Sequence, residues 1–313
     1  MKIVVVESIG ISSEVAQRYA QHFETAGHEF VFFADRKEDE PTLIERAKDA
    51  DIMVVSNIKI SKNVIDACPK LKMISVAFTG VDHIDINTCR ERGIVVCNAA
   101  GYSTTAVSEL AIGLMIDVYR RISEFNSTIR QQQGRNGFAG LELKGKTVGV
   151  VGTGAIGCEM ARLLQAFGCK VLAYSRTRKD NGLTYVDLDT LLKQSDIVTL
   201  HVPLTQETHH LIDARAISLM KPSAVLINTA RGNVVDIPAL AQALKEHRLA
   251  GAGVDVYETE PPLAADHVLL SAPNVVMVPH VGFATQEALL DRADIVFNNI
   301  DGYFSGKLLN VIC

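Results

Sequence analysis

The sequence predicts an α/β protein with two domains, and three observations support this prediction. The chain has 313 residues, more than the roughly 250 to 300 at which single cores divide into domains. Short runs of β-branched residues alternate with amphipathic segments of helical length over nearly the whole chain, as in the βα units of parallel sheets. A long helical pattern from Ser103 interrupts this alternation once, which separates two series of βα units.

The first series predicts a small doubly wound, flavodoxin-like domain. Its strands are predicted at residues 3–6, 30–33, 52–55, 73–77 and 94–96, with helical patterns between them. A further helical segment at residues 286–304 has no strand after it, so we expect it to return to this domain. The predicted domain therefore comprises residues 1–98 and 286–313.

The interruption is itself a helix. Apolar residues recur there at i, i+3, i+4, i+7, i+8 and i+11, at Val107, Leu110, Ala111, Leu114, Met115 and Val118. The polar, glycine-bearing residues 131–140 predict a surface loop. Strands follow at residues 148–151, 171–174, 197–200, 225–227, 253–256 and 275–278, so residues 99–285 form the second predicted domain.

Composition argues against membrane, nucleic-acid and metal partners. No apolar run approaches the roughly 18 residues needed to cross a bilayer. The 31 basic and 36 acidic residues give a net charge of -5, which provides no positive field for nucleic acid. The apolar run at the N-terminus stops at Glu7, too early for a signal peptide, and the cysteines form no CxxC pair or Cys/His cluster. We therefore expect no metal and a reducing, cytoplasmic location.

A glycine-rich turn predicts a dinucleotide site in the second domain. Gly152, Gly154 and Gly157 have G-x-G-x-x-G spacing, with Ala155 and Ile156 between the last two. Such spacing also occurs in ordinary turns, but here a strand precedes it and a helical pattern follows it. In that setting the glycines allow a tight turn, a close approach to the pyrophosphate and close helix packing. The second domain is thus predicted to be a Rossmann-type domain.

The residues after the next strand bear on the choice of cofactor. A carboxylate is expected about 20 residues after the glycines, where it binds the ribose 2′-hydroxyl of NAD(H). This chain has Ser175 and Arg176 there, followed by Arg178 and Lys179. A hydroxyl and a guanidinium bind a 2′-phosphate, so the sequence slightly favours NADP(H) over NAD(H). A merely solvated basic loop would admit either cofactor.

Three further residues each follow a predicted strand of the second domain. They are Arg231, Glu260 and His280, and each alone has a plain explanation as an ion-pair partner, a solvated charge or a core histidine. Because ligands of open α/β sheets bind beyond the carboxyl ends of strands, we expect the three to converge.

Together these three residue types suit hydride transfer to a keto acid. A guanidinium binds the substrate carboxylate and polarises the carbonyl, and an imidazolium donates a proton to the carbonyl oxygen. A neighbouring carboxylate favours the charged imidazole.

Seven ordered blocks extend this pattern over nearly the whole chain. They are FTGVDHIDI (78–86), NAAGYSTTAVSELAIGLM (98–115), LKGKTVGVVGTGAIG (143–157), HVPLTQET (201–208), INTARGNVVD (227–236), GAGVDVYETEPPL (251–263) and VPHVGFAT (278–285). On these blocks the chain resembles the D-isomer-specific 2-hydroxyacid dehydrogenases. One departure is Asn136, where many members carry a tryptophan.

The resemblance implies roles for individual residues. Arg231, Glu260 and His280 take the catalytic positions, with His280 as acid and base. Thr79, Gly80 and Val81 offer backbone groups to the substrate carboxylate. The residues implied to border the cofactor are Thr104, His201, Val202, Pro203, Thr208, Thr229, Ala230 and Asp255. Family members usually close two domains around the substrate and form homodimers through the cofactor domain, so we expect both here.

The function predicted in this way is hydride transfer between NAD(P)H and a small 2-oxo or 2-hydroxy acid. Glyoxylate, hydroxypyruvate, pyruvate and a 3-phosphoglycerate-type acid are the substrates considered. A non-catalytic, cofactor-sensing protein similar to the corepressors of this fold is the alternative from another class. Formate dehydrogenases pair their histidine with glutamine, so Glu260 disfavours formate, whereas a phosphite dehydrogenase stays open.

Overall fold

The computed structural model describes all 313 residues, which form two compact units. Unit 1 comprises Met1–Ser103 with Ala284–Cys313, and unit 2 comprises Thr104–Phe283. The predicted α/β class is confirmed, because helices alternate with strands along the chain and the strands pair in parallel in two sheets. The first unit extends past residue 98, where the sequence pattern places the boundary, because Ala99 N donates to Phe78 O at 3.0 Å and the Tyr102 ring packs near Phe78.

Unit 1 is built on a five-stranded sheet of order β2-β1-β3-β4-β5. Its elements, numbered in chain order, are β1 (Lys2–Val5), α1 (Ser13–Thr25), β2 (Glu29–Phe32), α2 (Glu40–Ala47), β3 (Ile52–Val55), α3 (Lys62–Asp66), β4 (Met73–Val76), α4 (Ile86–Arg92), β5 (Val95–Cys97) and α11 (Gln286–Phe304). Strands β3 and β4 are buried along their whole length, as expected for parallel strands covered on both faces. Helix α11 has the bounds that the sequence predicted.

The backbone after α11 adds to the outer edge of this sheet. Ile312 N donates to Val96 O at 2.8 Å, Val96 N donates to Cys313 O at 2.9 Å, and Cys97 pairs with Val311 in antiparallel sense. The sequence analysis did not predict this pairing, because so short a segment shows no alternation of polar and apolar residues.

Unit 2 is built on a seven-stranded sheet of order β12-β11-β10-β9-β6-β7-β8. Its elements are α5 (Thr104–Arg120), α6 (Ile122–Arg130), β6 (Thr147–Val151), α7 (Ala155–Ala166), β7 (Lys170–Tyr174), β8 (Thr184–Tyr185), α8 (Leu188–Gln194), β9 (Ile197–Leu200), α9 (Ala214–Leu219), β10 (Val225–Asn228), α10 (Ile237–Lys245), β11 (Gly251–Val254) and β12 (Val275–Met277). Two single turns of 3₁₀ helix lie at Gly232–Val234 and Val268–Ser271.

Two details of unit 2 differ from the sequence prediction. The sheet has seven strands instead of six, because the two-residue β8 is too short to show a period. The long helix is followed by a separate helix, α6, because Arg121 between them has a left-handed φ of 51° that ends the first helix. None of the helices is both long enough and apolar enough to span a membrane.

Side chains at the helix N-termini show how the sequence determines where the helices begin. In eight helices a Ser, Thr or Asp side chain accepts a hydrogen bond from a backbone N–H in the first turn, which stabilises each helix by about 1 kcal/mol. Helix α7 differs, since its N-cap is Gly154 and no side chain caps it. The N–H groups of its first turn are therefore left to other partners.

Candidate active site

The three predicted catalytic residues follow adjacent strands of unit 2. Arg231 follows β10, Glu260 follows β11 and His280 follows β12, and these strands are neighbours in the sheet. All strand pairs here are parallel, so the three residues lie at the same, carboxyl edge. Sequence alone placed each residue after a strand, and the strand order is what brings them together.

His280 and Glu260 form a bonded pair. His280 Nδ1 lies 2.9 Å from both Glu260 Oε1 and Oε2. A carboxylate only accepts, so Nδ1 carries a proton and the pair directs the other ring nitrogen, Nε2, away from Glu260. The His280 side chain is 15% exposed and that of Glu260 is 63% exposed, so the imidazole is the better shielded partner. His280 has a left-handed φ of 54°, a conformation that places a non-glycine residue under local strain.

Asp255 holds the chain that follows His280. Its carboxylate accepts hydrogen bonds from Val281 N at 2.7 Å and Gly282 N at 2.9 Å, and the residue is 1% exposed. Burial raises the pKa of Asp255 above its usual range, although the two N–H donors act in the opposite direction. A Cβ on Gly282 would lie 2.8 Å from Asp255 Oδ2, so the glycine permits this close approach. From the sequence we expect Asp255 only near the cofactor, because nothing in the sequence indicates this anchoring contact.

The loop that carries Arg231 is tied to its own strand and to the next loop. Asn228 Nδ2 donates to Arg231 O at 3.0 Å, and Arg231 Nη1 donates to Ala230 O at 2.8 Å. A Cβ on Gly232 would lie 1.9 Å from the carbonyl of Tyr257, so the backbones after β10 and β11 are in direct contact. The loop that carries Arg231 is therefore packed directly against the start of the loop that leads to Glu260.

Tyr257 completes this connection. Its Oη lies 3.0 Å from Val278 O and 3.2 Å from Val254 O, so the hydroxyl joins the ends of β11 and β12. The three loops that carry Arg231, Glu260 and His280 are thus linked in series. Gly232 and Tyr257 are not among the predicted site residues, since a glycine and a tyrosine in loops carry no signal of a contact between strands.

The glycine-rich turn is closely packed at two of its glycines and open at the third. Gly152 has a φ of 97°, and its Cβ would lie 2.4 Å from His201 O; a Cβ on Gly157 would lie 1.9 Å from Gly152 O. A Cβ on Gly154, in contrast, would meet no atom within 4 Å. Gly152 and Gly157 therefore shape the turn, while Gly154 leaves open space at the uncapped start of α7, where Ala155 and Ile156 form the first turn. Such a helix start suits a phosphate.

A buried hydroxyl at the end of β10 also fits a bound group. Thr229 is 8% exposed, and its Oγ1 has no hydrogen-bond partner within the chain. Buried polar atoms are almost always bonded, so an unpartnered one at the same sheet edge as the glycine-rich turn, two strands away from it, suits a polar group of a cofactor. Ala230 is buried next to it. These residues fit the dinucleotide that the sequence predicts.

The other predicted cofactor residues lie at neighbouring strand ends of unit 2. His201, Val202 and Pro203 follow β9, which pairs with β6. His201 Nε2 lies 3.0 Å from Thr199 Oγ1, and burial lowers the pKa of His201 to about 3, so its imidazole is neutral. Thr208 Oγ1 donates to Pro203 O at 2.6 Å and thereby closes its own turn.

Ser175, Arg176 and Thr104 have separate positions. Ser175 and Arg176 follow β7 on the other side of β6, with Ser175 half-buried and Arg176 exposed. Thr104 is the first residue of α5.

No group of three or more His, Cys, Asp and Glu side chains in the chain could hold a metal ion.

The predicted substrate residues Thr79, Gly80 and Val81 belong to unit 1. They follow β4, at the carboxyl edge of the five-stranded sheet. Asn98 Nδ2 donates to Thr79 O at 2.7 Å, which fixes the start of this turn to the end of β5.

Comparison with known proteins gives a consistent family. A sequence profile described as "D-isomer specific 2-hydroxyacid dehydrogenase, NAD binding domain" matches residues 112–282. The glyoxylate reductase of Thermococcus litoralis is 43% identical over 280 residues, which cover 85% of this chain and 84% of that protein. The glycerate dehydrogenase of Methylorubrum extorquens is 38% identical over 298 residues, which cover 91% and 94%.

A solved structure matches this chain over its full length. An acyclic imino acid reductase (Bsp5) in complex with NADPH and D-Arg matches with a TM-score of 0.91 and 32% identity, covering 100% of both chains. The profile covers more than half of this chain, and the relatives named above are dehydrogenases or reductases. The chain therefore belongs to the D-isomer specific 2-hydroxyacid dehydrogenase family and is a nicotinamide-dependent oxidoreductase.

Proposed function

We propose that this enzyme interconverts a small 2-oxo acid and its 2-hydroxy acid, with glyoxylate, hydroxypyruvate, pyruvate and a 3-phosphoglycerate-type acid as candidate substrates. The observation that carries the proposal is the His280–Glu260 pair at 2.9 Å, on loops next to the Arg231 loop. The same sheet carries the glycine-rich turn. The similarity to a glyoxylate reductase and a glycerate dehydrogenase supports acids of two or three carbons.

In the proposed mechanism each side chain has one task. Arg231 binds the substrate carboxylate through paired N–H donors and polarises the adjacent carbonyl. The bound nicotinamide supplies the hydride in reduction and accepts it in oxidation. His280 Nε2 gives its proton to the carbonyl oxygen in reduction and takes it back in oxidation. Glu260 accepts the Nδ1 hydrogen bond, which orients the ring so that Nε2 faces away from Glu260.

The proposed cofactor residues divide by position along the sheet edge. The backbone of Gly152, Gly154, Ala155, Ile156 and Gly157 would hold the pyrophosphate at the start of α7. The residues proposed to contact the remainder of the dinucleotide are Ser175, Arg176, His201, Val202, Pro203, Thr208, Thr229, Ala230, Asp255 and Thr104. For unit 1 we keep the proposal that Thr79, Gly80 and Val81 offer backbone groups to the substrate carboxylate.

The experiment that tests the activity is a substrate panel. The purified chain is mixed with NADH or NADPH and with glyoxylate, hydroxypyruvate, pyruvate or 3-phosphohydroxypyruvate, and loss of the reduced nicotinamide is followed by absorbance. We expect turnover with at least one short 2-oxo acid at about 1 to 10³ s⁻¹, the usual range for enzymes. Absence of turnover with every acid and both cofactors would overturn the proposal.

We further propose a preference for NADP(H). Arg176 is exposed directly after β7, and no carboxylate stands at Ser175 to repel a 2′-phosphate. We expect Arg176→Ala to raise KM for NADPH about tenfold more than KM for NADH, the value of one charge-assisted hydrogen bond. Arg162→Ala is the matched control, because Arg162 is an exposed arginine on α7 that pairs with Glu159. Equal changes for both cofactors would contradict the preference.

We also propose that the enzyme is a homodimer joined through unit 2. Helix α6 has no buried residue, and Ile122, Ile129 and Leu141 are 52%, 67% and 46% exposed. Ile122 and Ile129 lie seven residues apart on α6 and therefore share one face of the helix, and exposed apolar side chains on a helix face are typical of interfaces between subunits. Light scattering after size-exclusion chromatography should give twice the chain mass of 34.0 kDa, and a monomeric mass would contradict the proposal.

A cytoplasmic location is the last part of the proposal. All six cysteines are free, and four of them, Cys68, Cys89, Cys97 and Cys169, are buried. A chain without disulfides suits a reducing compartment. Fractionation of the source cells should place the protein with cytoplasmic markers, and its recovery outside the cytoplasm would contradict the proposal.

A further inference from the structure

The shortest strand of unit 2 carries a tyrosine that reaches the glycine-rich turn. Strand β8 consists of two residues, Thr184 and Tyr185, and lies at the edge of the sheet, where Tyr185 pairs with Ala173 of β7. The Tyr185 hydroxyl donates to Thr153 Oγ1 at 3.0 Å. Because β7 separates β8 from β6, this hydrogen bond connects the outermost strand to the turn that follows β6.

Thr153 lies inside the turn, between Gly152 and Gly154, and is almost fully buried. The residue is 2% exposed, so its hydroxyl needs a partner within the chain, and Tyr185 provides one. The carbonyl oxygen of Thr153 accepts a hydrogen bond from Cys158 Sγ at 3.4 Å. Thr153 is therefore held by β8 through its side chain and by helix α7 through its backbone.

The neighbours of Thr153 differ in how firmly they are held. Gly152 N donates to Tyr174 O at 2.7 Å, and a Cβ on Gly152 would lie 2.4 Å from His201 O, so Gly152 is fixed by the ends of β7 and β9. A Cβ on Gly154 would meet no atom within 4 Å. The position of Gly154 thus depends on the residue before it, which is Thr153. Groups that are already in place bind a ligand more tightly, because no ordering cost arises on binding.

We propose that Tyr185 is a positioning residue for the dinucleotide, because its hydroxyl holds Thr153 and, through Thr153, the backbone of Gly154. The inference rests on the proposed function, in which the pyrophosphate binds at the start of α7, and adds a residue that acts on this site from the sheet edge. The hydrogen bond involves neither Ser175 nor Arg176, the residues proposed to set the choice between NADP(H) and NAD(H). Its loss should therefore weaken both dinucleotides by the same factor.

The test measures the Kd of NADPH and of NADH by fluorescence titration of the full-length chain. We expect Tyr185→Phe, which removes only the hydroxyl, to raise both Kd values about three- to tenfold, the value of one neutral hydrogen bond. The melting temperature of the ligand-free chain should fall by less than about 4 °C. At saturating cofactor kcat should stay within about twofold, because the bond acts on binding and not on proton transfer. A merely structural role would lower the melting temperature and leave both Kd values unchanged.

Two substitutions of Thr153 test whether Tyr185 acts through it. Thr153→Val keeps a similar shape and removes the hydroxyl, so both Kd values should rise as in Tyr185→Phe. The double variant should bind no more weakly than the weaker single variant, because each substitution removes the same hydrogen bond. Thr153→Ser keeps the hydroxyl, and its Kd values should stay within about twofold of those of the unaltered chain.

The matched control is Tyr303→Phe. Tyr303 is a half-buried tyrosine of α11 in unit 1, and we expect both Kd values to stay unaltered. Unchanged Kd values in Tyr185→Phe, a change for NADPH alone, or additive effects in the double variant overturn this inference while the proposed function stands. An unaltered chain that binds neither dinucleotide overturns both, and one that binds them but turns over no 2-oxo acid overturns the proposed function alone.

Discussion

At the scale of single residues, the pair of Glu260 and His280 is the most informative contact. Glu260→Gln keeps the shape of the side chain but removes the carboxylate charge from the pair that we propose orients the imidazole. The pair is partly exposed, so the effect should be smaller than in a fully buried triad. We expect kcat for glyoxylate or hydroxypyruvate to fall about 10- to 100-fold in steady-state assays, with a smaller change in KM.

Glu258→Gln is the control for this substitution. Glu258 lies two residues earlier and pairs with another histidine, His267, at 3.2 Å. Because exposed ion pairs contribute little, kcat should stay within about twofold of the unaltered enzyme. Equal effects of the two glutamine substitutions would show that the charge of this segment, and not the pair with His280, supports activity.

His201 gives a prediction for the pH dependence of stability. Its pKa of about 3 in the folded chain lies below the ordinary 6.5, so folding favours the neutral imidazole. This contribution is present above the unfolded pKa and is lost as the pH falls toward the folded one. Between about pH 7.5 and pH 5 the unaltered chain should lose about 1 to 2 kcal/mol of unfolding free energy that His201→Gln retains.

Urea denaturation of both chains at the two pH values measures this difference. The comparison uses the change with pH within each chain, so a lower baseline stability of His201→Gln does not affect it. Equal losses in the two chains would mean that His201 is protonated as readily in the folded state as in the unfolded state.

At the scale of elements, two glycines of the glycine-rich turn have different expected roles. We expect Gly154 to matter for cofactor binding alone and Gly157 to matter for folding as well. A Cβ on Gly154 meets no atom within 4 Å, and its φ of -72° is open to alanine. Gly154→Ala should therefore leave the melting temperature of the ligand-free chain within about 2 °C. The added methyl group would occupy the space in which we propose that the pyrophosphate binds, so we expect the Kd for NADPH to rise about tenfold or more.

Gly157→Ala is the complementary variant. Its Cβ would lie 1.9 Å from Gly152 O, so the start of α7 must move away from β6. We expect a lower melting temperature as well as weaker cofactor binding, because the clash is with backbone. Calorimetry and fluorescence titration of both variants would contradict this division of roles if Gly154→Ala were the less stable protein.

Elements with a strong period were predictable from the sequence, and short ones were not. The predicted strand at residues 52–55 has the bounds of β3, and the predicted helix at residues 286–304 has those of α11, because buried strands and an amphipathic helix leave clear patterns. The two-residue β8 and the C-terminal pairing at Val311 have too few residues to show a period. The end of helix α5 at Arg121 depends on one backbone angle, which cannot be predicted from the residue type.

The candidate site could be predicted from the sequence only in part. Arg231, Glu260 and His280 could be placed after strands from the sequence, since each follows a clear β-branched run. The sequence predicts that they lie at one sheet edge, but the order that makes β10, β11 and β12 neighbours and the contact between Gly232 and Tyr257 are seen only in the structure. The hydrogen bond between Tyr185 and Thr153 likewise follows only from knowing which strand β8 pairs with.

For the whole molecule, the proposed activity depends on proton transfer by His280. The direct measurement is kcat for reduction of glyoxylate or hydroxypyruvate by the full-length His280→Asn variant, with NADPH and substrate at saturating concentrations. We predict a fall of about 10²- to 10⁴-fold, the contribution of a positioned general acid, while NADPH still binds. A variant that binds cofactor and turns over within about tenfold of the unaltered enzyme would contradict the central claim.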